Sequence, residues 1–242
     1  ATLRGICQDY KKAFKNYANI KMMYASKALC TSAIAKILES EGFGFDTVSA
    51  GEIYTVKNAG VDMSKVLFNG NNKSIRELEL ALDYKVGRFS VDNFYEAQIL
   101  NQIAEQKGVI ADILLRITPG IECHTHDYIQ TGQIDSKFGF AIENNEAFEV
   151  LEYAKNLENI KIAGLHCHIG SQIFSLEPFK LTAEIMIEFM SKIKNELGIE
   201  VSELNLGGGF GIKYIESDTP PEYEKYIEEV SKVIKTECEK YG

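Results

Sequence analysis

The sequence Met-Met-Tyr-Ala-Ser-Lys-Ala, at residues 22–28, is an apolar segment that carries a lysine near its end. In an extended strand the side chains alternate between two faces, so Met23, Ala25 and Lys27 would share one face. A lysine on an apolar face is costly unless its long stem carries the ammonium group to water, or the amine is held partly desolvated and reactive. The segment alone leaves both interpretations of Lys27 open.

Helical and extended patterns alternate along the whole chain. The spacing of apolar residues predicts helices at residues 7–19, 31–41, 51–59, 74–84, 94–107, 145–156, 176–197 and 221–241, and strands at residues 22–27, 45–50, 65–70, 88–92, 111–117, 161–169 and 201–208. Such alternation predicts parallel strands joined by right-handed crossovers. We therefore expect one domain over residues 1–242, a TIM (β/α)₈-type α/β barrel truncated before its eighth strand.

The composition excludes several classes of function. A formal net charge of −9 argues against a nucleic-acid partner, because no basic surface is available to displace the counterions of phosphates. The chain contains neither a long apolar run nor an N-terminal signal peptide, so we expect a cytoplasmic protein without a membrane partner. Its five cysteines are odd in number and lack Cys-x-x-Cys spacing, which favours reduced thiols over disulfides or a zinc ribbon.

Polar residues concentrate where the predicted strands end. Functional groups of α/β barrels lie at these carboxyl ends, which here carry Lys27, Asp46, Asp92 and Arg116. Arg116 lies within an apolar strand, where an unpaired guanidinium would be costly. We therefore expect it to contact an anion or a buried acceptor.

The histidines occur as two His-x-His pairs, His124/His126 and His166/His168. Two histidines on one strand face could bind a metal ion or could form a packed, hydrogen-bonded pair. Alternatively, His168 could stack on a flat cofactor while Ser171 contacts its phosphate.

Residues 206–211, Leu-Gly-Gly-Gly-Phe-Gly, follow the seventh predicted strand. Unhindered backbone amides at this place in a barrel can bind phosphate, although a flexible turn is the alternative. Residues 121–135 are too polar to form a buried element, and a long loop of this kind in a compact domain favours a lid or substrate loop.

Five segments, in order, resemble the fold-type III pyridoxal-phosphate decarboxylases, whose barrel is similar to that of alanine racemase. These segments are residues 24–28, 46–52, 91–93, 166–172 and 207–211. The resemblance implies that Lys27 binds pyridoxal 5'-phosphate covalently and that His168 stacks on its ring, both as catalytic residues. It also implies that the phosphate is bound by Ser171, Gly207, Gly208 and Gly209, that Asp46 and Arg116 position the ring or its partners, and that no metal is used.

Within this family, residues 116–120, 124–126, 131–132 and 136–139 are most similar to the diaminopimelate decarboxylases. The loop at residues 125–132 carries this assignment. It implies decarboxylation of meso-2,6-diaminopimelate to L-lysine and CO₂ in lysine biosynthesis, by a homodimer acting on a small-molecule substrate.

The family resemblance also implies segments that residues 1–242 lack. These are a Glu-Pro-Gly-Arg segment after an eighth strand and a C-terminal β domain that contributes to the substrate site. We therefore expect this chain to hold the cofactor half of the site and to have little activity alone. The alternatives are a non-catalytic pyridoxal-phosphate protein of cofactor homeostasis, a decarboxylase of a related basic amino acid, and a metal-dependent hydrolase using the His-x-His pairs.

Overall fold

A computed structural model describes residues 2–17, 19–121 and 137–242. The helices are α1 Thr2–Phe14, α2 Ser32–Ser40, α3 Ala50–Asn58, α4 Ile75–Asp83, α5 Phe94–Lys107, α6 Glu146–Ala154, α7 Glu177–Leu197 and α8 Tyr223–Tyr241. The strands are β1 Met23–Ala25, β2 Gly44–Thr47, β3 Val66–Phe68, β4 Arg88–Val91, β5 Ala111–Thr118, β6 Phe140–Ala141, β7 Ile160–His166 and β8 Glu203–Asn205. No helix within these ranges is long and apolar enough to cross a membrane.

The described strands pair in parallel throughout, in the order β1-β2-β3-β4-β5-β7-β8. This path contains the seven strands expected from the sequence and confirms the predicted α/β architecture. The two-residue strand β6 was not predicted; it pairs with β5 outside the main path.

The sheet curls until its two edges approach each other. β1 and β8 lie at opposite edges, yet the Lys21 Nζ atom, just before β1, is 3.0 Å from the Glu203 Oε1 atom on β8. Arg88 at the start of β4 also reaches Glu203, at 2.6 Å, although two strands separate β4 from β8. A flat sheet could not make these contacts, so the strands form an open barrel.

The sheet is buried on both faces, as expected for parallel strands. On β3, Val66 and Phe68 belong to the main apolar core between sheet and helices. Leu67, between them, belongs to a separate cluster with Leu114 and Ala163. The alternation of side chains along each strand therefore builds an outer core and a smaller core inside the barrel.

Capping side chains start the four helices that follow β1 to β4. The backbone amides of the first turns of α2 to α5 donate to side-chain oxygens of Thr31, Ser49, Ser74 and Asn93. Such caps satisfy amides that have no partner within the helix. Because β1 to β4 pair in parallel, their carboxyl ends open onto one rim.

Candidate functional site

Lys27 lies just beyond the end of β1. The strand ends at Ala25, and Ser26–Ala28 form a 3-10 turn, so the strand is shorter than the predicted 22–27. The Lys27 side chain is exposed, and no described residue forms a hydrogen bond or ion pair with its amine. The charge of this amine acts to lower the pKa of both Asp46 and His168. Lys27 is thus a free amine that faces the other polar groups of the rim.

Asp46 presents a carboxylate oxygen with an unused acceptor. Its Oδ2 atom accepts a hydrogen bond from Asn69 Nδ2 at 3.3 Å, but its buried Oδ1 atom has no hydrogen-bond partner within the described chain. Burial raises the pKa of Asp46 to about 6, against the opposing effects of Asn69, Lys27 and Arg116. Because buried acceptors are normally satisfied, this oxygen is suited to a donor group on a ligand.

Asp46→Asn is expected to stabilise the cofactor-free protein by about 1–2 kcal/mol at about pH 8. A carboxyl group whose pKa is raised in the folded state binds its proton more tightly there than in the unfolded chain. The ionised group therefore costs stability above its folded pKa, and the cost disappears as the pH falls to the unfolded value of about 4. Urea unfolding of both proteins at about pH 8 and about pH 4 measures the difference, which should vanish at the lower pH. A variant that is less stable at the higher pH would contradict this.

Near the end of β5, the Arg116 guanidinium contacts Asp92 and Phe138. Its guanidinium is buried, with 8% of the residue exposed, and its Nη1 atom is 3.6 Å from Asp92 Oδ1. The ring of Phe138 lies 4.2 Å from the guanidinium carbon. Burial lowers the pKa of Arg116, whereas Asp92 and Asp46 act to raise it. The anionic partner expected from the sequence is therefore Asp92.

His168 packs against the glycine loop, residues 207–211. A Cβ atom on Gly207 would lie 2.9 Å from His168 Nδ1 and 2.6 Å from the carbonyl oxygen of Cys167, and Gly207 has a φ of +72°. Burial and the charges of Lys27 and Arg116 lower the pKa of His168 to about 4. The imidazole is therefore neutral at physiological pH and presents a flat, uncharged face.

The glycine loop is joined to the segment after β7. The backbone amide of Ile173 donates to Gly209, and the amide of Gly211 donates back to Ile173, both at 2.9 Å. The Gln172 side chain also exchanges hydrogen bonds with the backbone of Ile212 at 3.0 and 2.9 Å. Ser171 is exposed and lies in the segment after β7. The structure thus brings the predicted phosphate-binding residues into one paired-loop unit.

The two histidines of the β7 segment have different surroundings. His166 is buried, and its Nδ1 atom shares a hydrogen bond of 3.2 Å with Ser90 Oγ, so its environment is that of a packed, hydrogen-bonded residue. Burial lowers its pKa well below the ordinary value. Within the described ranges, no cluster of three or more His, Cys, Asp or Glu residues could hold a metal ion. His124, His126 and the predicted loop at residues 125–132 lie outside the described residues.

Several polar residues of the rim were not singled out from the sequence. Lys73 and Glu96 form an ion pair of 2.6 Å beneath the site, with their side chains only 1% and 4% exposed. Lys73 precedes a helix cap and Glu96 lies in a first helical turn, positions at which charged residues are ordinarily exposed. No local pattern distinguishes such residues, because only the fold brings them together.

The comparisons with known proteins agree on one family. Residues 3–242 match the model described as the pyridoxal-binding domain of the pyridoxal-dependent decarboxylases. The diaminopimelate decarboxylase of Bacillus methanolicus is 44% identical over 243 residues, covering 100% of this chain and 56% of the relative. That of Halalkalibacterium halodurans is 46% identical over 236 residues, covering 97% of this chain and 54% of the relative.

A solved structure shows the same similarity. The crystal structure of the M. jannaschii diaminopimelate decarboxylase in co-complex with L-lysine has a TM-score of 0.85 and 33% identity, covering 97% of this chain and 54% of that one. The present chain thus spans about half the length of the relatives it matches.

Proposed function

Because the chain belongs to the family of pyridoxal-dependent decarboxylases, through their pyridoxal-binding domain, we propose that residues 1–242 form the cofactor-binding domain of a diaminopimelate decarboxylase. The proposed reaction converts meso-2,6-diaminopimelate to L-lysine and CO₂ in the cytoplasm. The names of the relatives support this substrate, as does the L-lysine bound by the M. jannaschii protein. We include homodimer formation by the whole enzyme in this proposal.

The observation that carries the proposal is that the Lys27 amine and the Asp46 Oδ1 atom, both without a hydrogen-bond partner among the described residues, lie near the neutral imidazole of His168. Each group suits one part of pyridoxal phosphate. The amine can bind the aldehyde carbon, Asp46 Oδ1 can accept a hydrogen bond, and the imidazole of His168 can stack on the ring. A Cβ atom at Gly207 or Gly209 would overlap backbone atoms of the segment after β7, so the two glycines let the loop pack closely against it. This packing places the backbone amides of the loop beside His168 and Ser171, where they can donate to a phosphate.

When bound, pyridoxal phosphate supplies the electron sink that accepts the electron pair released as the carboxylate leaves. The chain's own residues bind and orient it. Lys27 would hold the cofactor through its aldehyde, and the glycine loop with Ser171 would hold the phosphate. In the loop, the Gly207 amide already donates to Asn205 Oδ1 at 2.8 Å and so orders the turn, which leaves the amides of Gly208 and Gly209 to donate to the phosphate. With the cofactor held at both of these places, His168 would stack on its ring and limit its movement, and such positioning is a large part of what a protein contributes to catalysis.

Asp46 and Arg116 complete the proposed site. Asp46 lies opposite Ala25 in the pairing of β1 with β2, and its buried Oδ1 atom has no hydrogen-bond partner among the described residues. Arg116 is fixed by Asp92 and Phe138, so its positive charge has a defined position from which it can interact with oxygen substituents of the ring or with their partners.

The chain of residues 1–242 is expected to bind pyridoxal phosphate in a one-to-one complex but to release little CO₂ from meso-2,6-diaminopimelate. The physical reason is that it spans about half of its relatives, so groups that orient the substrate carboxylate are expected from the remainder. Cofactor binding is measured by the visible absorbance of the complex, and activity by release of labelled CO₂. The absence of cofactor binding would contradict the proposed domain function. Robust CO₂ release would contradict the proposed division of the site.

A further inference from the structure

The Lys73–Glu96 pair lies at the centre of a buried network behind Arg116. Besides Glu96, the Lys73 ammonium donates to the carbonyl oxygens of Gly70 and Ser90, at 2.7 and 2.6 Å. These carbonyls follow β3 and lie on β4, and Glu96 belongs to the first turn of α5. Lys73 therefore uses all three of its hydrogens to fix two strand ends and one helix start.

The second oxygen of Glu96 points toward the site. Glu96 Oε2 accepts a hydrogen bond of 3.2 Å from the backbone amide of Asp92. The side chain of Asp92 in turn accepts from the amide of Gly139 at 3.1 Å and lies 3.6 Å from Arg116. A continuous series of contacts thus runs from Lys73 through Glu96 and Asp92 to the guanidinium.

A buried ion pair is weak evidence for stability, because removing two charges from water costs free energy that apolar residues of the same volume would not lose. Glu96 of this pair accepts a hydrogen bond from the backbone amide of Asp92, the residue that contacts Arg116. The positive charge of Lys73 also acts to lower the pKa of Asp92, which burial raises, and so favours the ionised form that Arg116 requires. Orientation of Arg116 accounts for both features.

We propose that Lys73 and Glu96 are positioning residues, which fix Asp92 and through it hold Arg116 in the orientation required to bind the cofactor. The role of Arg116 in this inference rests on the proposed function. The orientation of Arg116 in the cofactor-free protein does not.

The test is a thermodynamic cycle of four proteins. These are the wild type, Lys73→Met/Glu96→Met, Arg116→Lys, and the variant with all three substitutions. Replacing the pair is expected to weaken pyridoxal-phosphate binding about 10-fold when Arg116 is present, but less than about 2-fold in the Arg116→Lys background. Equal weakening in both backgrounds would overturn the inference, because the pair would then act independently of Arg116.

A matched control lies at the other ends of the same two helices. Asp83 ends α4 and Lys107 ends α5, and they form an exposed ion pair. Asp83→Asn/Lys107→Met should leave cofactor affinity unchanged. If the Met/Met variant does not fold by circular dichroism, Glu96→Asp, which keeps the charge and shortens the side chain, replaces it in the same cycle with the same two outcomes.

A second readout needs no cofactor. The NMR signal of the Arg116 Nε–H group, assigned by its loss in Arg116→Lys, should shift when the Lys73–Glu96 pair is replaced and remain in place in the Asp83/Lys107 control. An unshifted signal would overturn the positioning role. If the wild type binds no pyridoxal phosphate, the proposed function fails, and this signal alone decides the inference.

Discussion

Lys27→Ala is expected to abolish covalent attachment of pyridoxal phosphate and to weaken its total binding at least about 100-fold, or about 2.7 kcal/mol. Lys27 is the amine at the rim that no described side chain engages, and its charge reaches Asp46 and His168 on neighbouring elements. Without it, the glycine loop and His168 can hold the cofactor only by non-covalent contacts. Titration followed by visible absorbance, with equilibrium dialysis for total binding, measures both effects.

Lys36→Ala is the matched control for this substitution. Lys36 is an exposed lysine on α2, nine positions further along the chain, and has no ion pair among the described residues. Its replacement should change neither absorbance nor affinity. If Lys27→Ala binds the cofactor as the wild type does, Lys27 is not the cofactor-binding lysine.

Gly209→Ala is expected to weaken pyridoxal-phosphate binding at least about 10-fold, while Gly208→Ala leaves it nearly unchanged. Gly209 has a φ of +98°, which side-chain-bearing residues rarely adopt, and a Cβ atom there would overlap the carbonyl oxygen of Gly170. The loop would have to separate from the segment after β7, which carries His168 and Ser171. Adjacent Gly208 has no positive φ, and apart from its chain neighbours no described atom lies within 4 Å of the position that its Cβ atom would occupy, so alanine fits there.

The comparison of Gly209→Ala with Gly208→Ala separates the effect of a changed loop conformation from the effect of losing a glycine. Both remove one glycine from the same turn, and both keep every backbone amide. Affinity is measured by titration, with circular dichroism to establish that each variant is folded. Equal affinities of the two variants would contradict the assignment of this loop as the phosphate site.

The order of strands and helices was predictable from the sequence because apolar residues recur about every 3.6 residues in a helix and every two residues in a strand. The prediction for α5 matches the structure at both ends, since Asn93 caps its start and Gly108, with a φ of 63°, follows its last residue. Strand β6 was not predicted, because two residues are too short to show alternation. For α1, the predicted range of 7–19 was wrong at both ends, and the helix is Thr2–Phe14.

The error at the start of α1 has a physical cause. Arg4, Gln8 and Lys11 lie on one side of the helix and donate to the carboxylate of Glu41 at 2.5 to 2.7 Å. This face packs through polar contacts, so it does not contribute to the apolar pattern that marks a helix in the sequence.

Part of the candidate site was predictable from the sequence, because functional groups of α/β barrels lie at the carboxyl ends of the strands. Lys27, Asp46 and Arg116 follow or end apolar strands, and this rule places such residues on one rim. The supporting contacts were not predictable. Ser90 and His166 are 76 positions apart, and Lys73 and Glu96 are 23 apart, so their pairing depends on how strands and helices are joined in space.

The central claim is that Lys27 is the residue that binds pyridoxal phosphate, and reductive trapping tests it most directly. The chain is incubated with the cofactor, reduced with borohydride, digested, and analysed by mass spectrometry to locate the pyridoxyl group. The account predicts one modified peptide, carrying the group on Lys27. A pyridoxyl group on a different lysine, or on none, would contradict it.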